Sequence, residues 1–148
     1  MNKSLKKRIN DRLRDIIDAI LEYGYAPTDV SVQEFYDYMT GEIFSEDTTT
    51  IDDVLASQNL MIHEVIEISE LKKKGKKIDK RVIVDSSREL IYNVHFTAMD
   101  HELDFLKRQN NIDAYTKRLH AHYKVLTTDP NLPESMKPRA REIWEKHR

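Results

Sequence analysis

Residues Ser86 to Lys107 read SSRELIYNVHFTAMDHELDFLK. Placed on a helix at about 100° per residue, Leu90, Ile91, Val94, Ala98, Met99, Leu103, Phe105 and Leu106 form one broad apolar arc, with Tyr92 and Phe96 toward its edge. Glu89, Asn93, Thr97, Asp100 and Asp104 fall on the other side, where water is expected. A helical period held over this length makes the stretch a helix with one face inward, and it points to an all-α fold. Three polar residues lie inside the arc. Arg88, His95 and Glu102 recur at every seventh position, so successive members stand about 10 Å apart along the axis. A buried charge has to be paired, neutralised or bound to something, which makes this column a candidate functional site.

The same periodicity organises the chain on either side. A first amphipathic helix is predicted from about Ser4 to Tyr23, with Leu5, Ile9, Leu13, Ile16, Ile17 and Ile20 inward and Gly24 and Pro27 ending it. Ser31 and Glu34 have the spacing of a capping box and open a short second helix that Gly41 stops. Its aromatics Phe35, Tyr36 and Tyr38 read as packing residues in preference to a ligand platform. After a polar connection, Ser45–Thr50, a third helix runs from Thr50 to about Lys74, apolar over more than half its circumference. The lysine-rich run from Lys72 to Lys77 reads as a helix C-terminus with Gly75 as a left-handed cap. Asp79 is placed to cap the long helix, predicted from about Lys80 to Gln109. Another helix follows from about Ile112 to Leu126, and a last one from about Pro133 to His147, docked through Ile143 and Trp144. The expected architecture is a single-domain helical bundle over residues 1–148: four longer helices, a short second helix and a docked C-terminal helix.

Composition narrows the function classes. With 24 basic and 26 acidic residues the formal net charge is −2, which gives no support to a general electrostatic role on nucleic acid. No run approaches the roughly 20 apolar residues of a membrane span, and the basic start MNKSLKKRINDRLRD lacks the apolar segment of a secretory signal. Cysteine is absent, so disulfides, thiolate metal sites and cysteine nucleophiles are excluded, and a reducing, cytoplasmic setting is expected.

A second anomaly lies on the third helix. Asn59, His63, Glu67 and Glu70 share a narrow polar stripe, while Glu64 falls among Leu60, Ile68 and Leu71. Either the stripe faces solvent and Glu64 is buried, or both line an internal polar site. The third and fourth helices are expected to pack as an antiparallel hairpin, with Glu64 or Glu67 opposite His95 or Glu102. Imidazoles and carboxylates on facing helices are how bundles hold divalent metals. The candidate ligands are therefore His63, Glu64, Glu67, His95 and Glu102. The structural alternative leaves Arg88 reaching to water from a helix end, His95 hydrogen-bonded in the core, and Glu102 paired with an Arg or Lys. His120 and His122, two positions apart on a helix, point about 160° away from each other and cannot share one ion; His122 reads as a packing residue.

Three short patterns resemble known families. His63-Glu-Val-Ile-Glu67 and His95-Phe-Thr-Ala-Met-Asp100 are similar to the ligand motifs of hemerythrins, which implies a di-iron site, although no HxxxH helix stands between them. Glu64 and Glu67, followed by Arg88-Glu89-Leu-Ile-Tyr-Asn93, resemble the paired motifs of the all-α nucleoside triphosphate pyrophosphatases, which implies Mg²⁺; here Tyr92 stands where the second motif has an acid. Arg88 and His95 resemble the Arg-x4–6-His signature of HEPN ribonucleases, metal-independent dimers in which they would stabilise phosphate charge and transfer a proton.

Three functions from different classes follow. The first is a divalent-metal site between the third and fourth helices, serving hydrolysis of a phosphate-containing small molecule. The second is metal-independent RNA cleavage through Arg88 and His95. The third is a non-catalytic module in which Arg88 and Glu102 pair between subunits of a homo-oligomer.

Overall fold

The computed structural model describes residues 1–45 and 47–148; Glu46, in the predicted polar connection, lies outside the described residues. The fold is all-α, with eight α-helices and one 3-10 turn among the described residues and no strand. None of these helices is long and apolar enough to cross a membrane. The chain divides into two compact units, Met1–Asp85 and Ser86–Arg148.

In the first unit the elements are α1 (Lys3–Tyr23), α2 (Val32–Thr40), α3 (Ile51–Leu55), α4 (Gln58–Lys73) and α5 (Val82–Asp85). Asn2 caps α1, its Oδ1 accepting from the Leu5 amide at 2.8 Å. Gly24 ends the helix in the left-handed region at φ 116°, where a Cβ would be strained. The capping box of α2 is complete: Ser31 Oγ accepts from the Glu34 amide and Glu34 Oε1 from the Ser31 amide, both at 3.0 Å. α2 lies against α1 and α4, burying Phe35 and Tyr38. On α4, Met61, Ile62, Val65, Ile66, Ile68 and Leu71 are each 2% exposed or less, so its apolar circumference is covered on several sides, as the composition of that helix requires.

Two predicted helices are shorter than their apolar patterns. The stretch from Thr50 to Lys74 is broken after α3, because Ser57 turns extended and caps α4: its Oγ accepts from the Leu60 amide at 3.3 Å and donates to Asn59 Oδ1 at 3.1 Å. The stretch from Lys80 contains only the short α5 before the long helix opens at Arg88, with Ser87 Oγ accepting from the Leu90 amide at 3.2 Å. Asp79 consequently caps the α5 turn through the Arg81 amide at 2.9 Å. In both places a serine side chain competes successfully with continuation of the helix. The connection after α2 is tied to the segment before α5, the Glu42 amide donating to the Lys80 carbonyl at 2.7 Å. A Cβ on Gly41 would stand 2.6 Å from that same carbonyl oxygen, so the close approach requires glycine. Gly75 follows α4 at φ 81°, and the first two lysines of the run are local ties: Lys72 Nζ donates to the Asp29 carbonyl at 2.5 Å, and Lys73 Nζ to Tyr25 Oη at 3.1 Å.

The second unit is three helices and a turn: α6 (Arg88–Arg108), α7 (Ile112–Thr128), the 3-10 turn Glu134–Met136 and α8 (Lys137–His147). α6 is the spine, with α7 and α8 packed on it and on each other. Pro138 sits in the first turn of α8, where its missing amide is no loss. Ile143 is buried, and Trp144 lies against Tyr123 with ring centroids 4.5 Å apart. The polar side of α6 does not simply face water. α8 covers part of it: Arg139 Nη2 donates to Thr97 Oγ1 at 2.7 Å, and Lys146 and His147 meet Asp100.

Candidate functional site

The candidate residues divide between the units: His63, Glu64 and Glu67 belong to the first, and Arg88, His95 and Glu102 to the second. On α4 the middle of the polar stripe is inside: His63 is 3% exposed and Glu67 8%, while Asn59, Glu64 and Glu70 are half-buried, so the stripe does not face water and Glu64 is less enclosed than His63 and Glu67. His63 and Glu67 stand one turn apart on the same face, as an i, i+4 pair must, and His63 Nε2 lies 2.6 Å from Glu67 Oε2. The other carboxylate oxygen is also engaged, since Tyr38 Oη donates to Glu67 Oε1 at 2.6 Å. Burial holds the Tyr38 phenol well above its ordinary pKa, and the carboxylates of Glu67 and Glu64 push it further in the same direction. Tyr38 is therefore a neutral donor fixed on Glu67. The chain of contacts is phenol, carboxylate, imidazole, running from α2 to α4.

In the sequence Tyr38 reads as one more packing aromatic on the inner face of α2. Only its spacing from Phe35 places it inward, and nothing local to α2 names the carboxylate that its hydroxyl meets. A parallel arrangement lies further along α4, where Tyr25 Oη donates to Glu70 and Lys73 Nζ stands 4.2 Å above the Tyr25 ring.

On α6 the seventh-residue column spans a gradient of burial. Arg88 is exposed at the helix start and its Nη1 donates to Asn131 Oδ1 at 3.0 Å. His95 is half-buried, its ring 5.7 Å from that of Phe96. Glu102 is fully buried at 0%, and Arg118 of α7 grips both its oxygens, Nε to Oε2 at 2.7 Å and Nη2 to Oε1 at 3.0 Å. This fork is the strong form of an Arg–carboxylate contact. Glu102 thus has the basic partner that the structural alternative required, and the partner comes from within its own unit.

The polar face of α6 carries a second cluster. Asp100 accepts from His147 Nε2 at 2.7 Å and from Lys146 Nζ at 2.9 Å, and Lys146 also stands 3.5 Å from Asp104 Oδ2. The hydrogen bond from His147 lowers the Asp100 pKa to about 2, with Lys146 acting in the same sense against the opposing effect of burial. His122 of α7 is wholly buried, hydrogen-bonded from Nε2 to the Ala140 carbonyl at 2.7 Å, with its ring edge-on to Phe96 at 5.4 Å. Its Nδ1 has no hydrogen-bond partner. Burial depresses its pKa below 6.5, and nearby His95 and His147 add to the effect.

Comparison with protein-family models, curated proteins and solved structures finds no match to this chain. The site has to be read from its own chemistry.

Proposed function

We propose that the protein binds a divalent metal ion through His63 and Glu67 of α4. The observation that carries this reading is the approach of His63 Nε2 to Glu67 Oε2 at 2.6 Å on a buried helix face, with Tyr38 holding the second carboxylate oxygen. A proton bridges the imidazole and the carboxylate in the ion-free molecule, and a divalent ion takes its place with release of that proton. One nitrogen and one carboxylate oxygen suit borderline ions such as Zn²⁺, Mn²⁺ and Fe²⁺. Tyr38 acts as the outer partner that orients the ligand. Glu64, one residue on from His63, adds negative charge to the same region. In the reducing, cytoplasmic setting that a cysteine-free chain suits, the chemistry such an ion offers is polarisation of a phosphoryl oxygen and activation of water, hence hydrolysis of a phosphate-containing small molecule.

The test is Zn²⁺ or Mn²⁺ uptake by tag-free, chelator-stripped protein against a competing chromophoric chelator. The H63A/E67Q variant is expected to take up one equivalent fewer than wild type, and Tyr38→Phe to bind about 10–100-fold more weakly. Equal stoichiometry and affinity in wild type and H63A/E67Q overturn the reading. Metal-dependent phosphate release that vanishes in Glu67→Gln extends it to catalysis.

A further inference from the structure

We infer that Asp100, Asp104 and His147 form a second divalent-cation site, separate from the α4 pair and held in the ion-free molecule by the chain's own Lys146. Asp100 and Asp104 stand one turn apart on α6, and α8 brings His147 to them. One ligand atom from each of the three lies within 4.8 Å of the others. Two carboxylate oxygens and one imidazole nitrogen form a three-ligand set that leaves a position open for water, a donor combination suited to Zn²⁺ and its neighbours.

Two features distinguish the cluster from surface acids that merely lie close together. The first is how His147 is held. Its side chain is 2% exposed, and its backbone carbonyl accepts from Tyr115 Oη at 2.6 Å, while the same phenol oxygen lies 3.3 Å from its Nδ1. A ring anchored at Nδ1 presents Nε2 to the carboxylates in a fixed direction, which is the outer-partner arrangement of metal-binding histidines. The second is that the cluster already receives a cation. Lys146 Nζ sits 2.9 Å from Asp100 and 3.5 Å from Asp104, and its side chain is 51% exposed. The ammonium is on a flexible stem that can leave for water, and the Asp100 and Asp104 side chains, about 30% exposed, are reachable from solvent. Binding an ion then exchanges Lys146, and the contact between His147 Nε2 and Asp100 Oδ1, for the metal.

The test uses tag-free, chelator-stripped protein in the H63A/E67Q background, titrated with Zn²⁺ against a chromophoric chelator, with Co²⁺ absorption as a readout of coordination. That chain is expected to bind one equivalent. Loss of an outer partner alone costs about 10–100-fold in affinity, so His147→Gln and Asp104→Asn are each expected to weaken binding by more than about tenfold. Lys146→Met, which removes the competing cation and leaves all three ligands, is expected to tighten it. Circular dichroism establishes that each variant is folded. The inference is overturned if the background chain binds no Zn²⁺ even with Lys146→Met, or if His147→Gln and Asp104→Asn leave the affinity unchanged. Failure of the α4 reading looks different: wild type and H63A/E67Q then bind alike.

Discussion

Glu102 is wholly enclosed, and Arg118 meets both its oxygens. The guanidinium offsets the desolvation cost of that carboxylate. Arg118→Met therefore leaves a charge buried without its forked partner, and urea denaturation is expected to show a loss of about 3–5 kcal/mol. Replacing the pair together, Glu102→Leu with Arg118→Met, removes the charge as well as its partner and is expected to restore wild-type stability or exceed it. A change within about 0.5 kcal/mol for Arg118→Met, the range of an ordinary surface substitution, contradicts this account. The contact also explains how a glutamate stands in the apolar arc of α6. Its position was legible from the sequence, but its partner was not, since Arg118 lies on another helix and has no distinguishing local pattern.

At the scale of elements, α8 is the piece whose docking depends on titratable groups. His122 faces the Ala140 carbonyl of α8 and feels His95 and Asp100 of α6 and His147 of α8. Its pKa is depressed by burial below the ordinary 6.5, so the unfolded chain takes up the proton first. Stability is then full at neutral pH and falls as pH drops below 6.5. Asp100, lowered from 3.8 to about 2 chiefly by the hydrogen bond from His147, contributes stability that is present above 3.8 and lost as pH falls toward 2. Thermal melting from pH 8 to pH 2 is expected to show both declines. His122→Gln keeps a donor toward Ala140 without a titrating ring and should flatten the first; an unchanged slope between pH 6.5 and 4 in that variant contradicts the assignment.

The elements themselves were largely readable. α1, the capping box of α2, the all-round apolar α4 and the helix of the opening stretch follow from periodicity and caps. The breaks at Ser57 and Ser87 were not: apolar residues keep the helical period across Ser57, and at Ser87, inside the polar run 85–89, the choice between capping and continuing rests on a single hydroxyl. The polar face of α6 reads as water-facing for a related reason. Its residues are polar whether they meet solvent or the Arg139, Lys146 and His147 side chains of α8, and the pattern of one helix cannot distinguish the two.

For the whole molecule, the formal net charge is −2, with 24 basic and 26 acidic residues, and charged groups are paired locally. In the second unit, Ser86–Arg148, polar groups are matched by one another: Glu102 by Arg118, Asp100 by Lys146 and His147, Tyr92 by Asp129 at 2.6 Å. In the first unit the matched group on α4 is a histidine–glutamate pair backed by a phenol, the arrangement that also suits a metal. The most direct measurement is elemental analysis by mass spectrometry of tag-free protein dialysed without chelator, beside the H63A/E67Q variant treated identically. The account predicts one equivalent more of zinc, manganese or iron in the wild type than in the variant; the same metal content in both contradicts it.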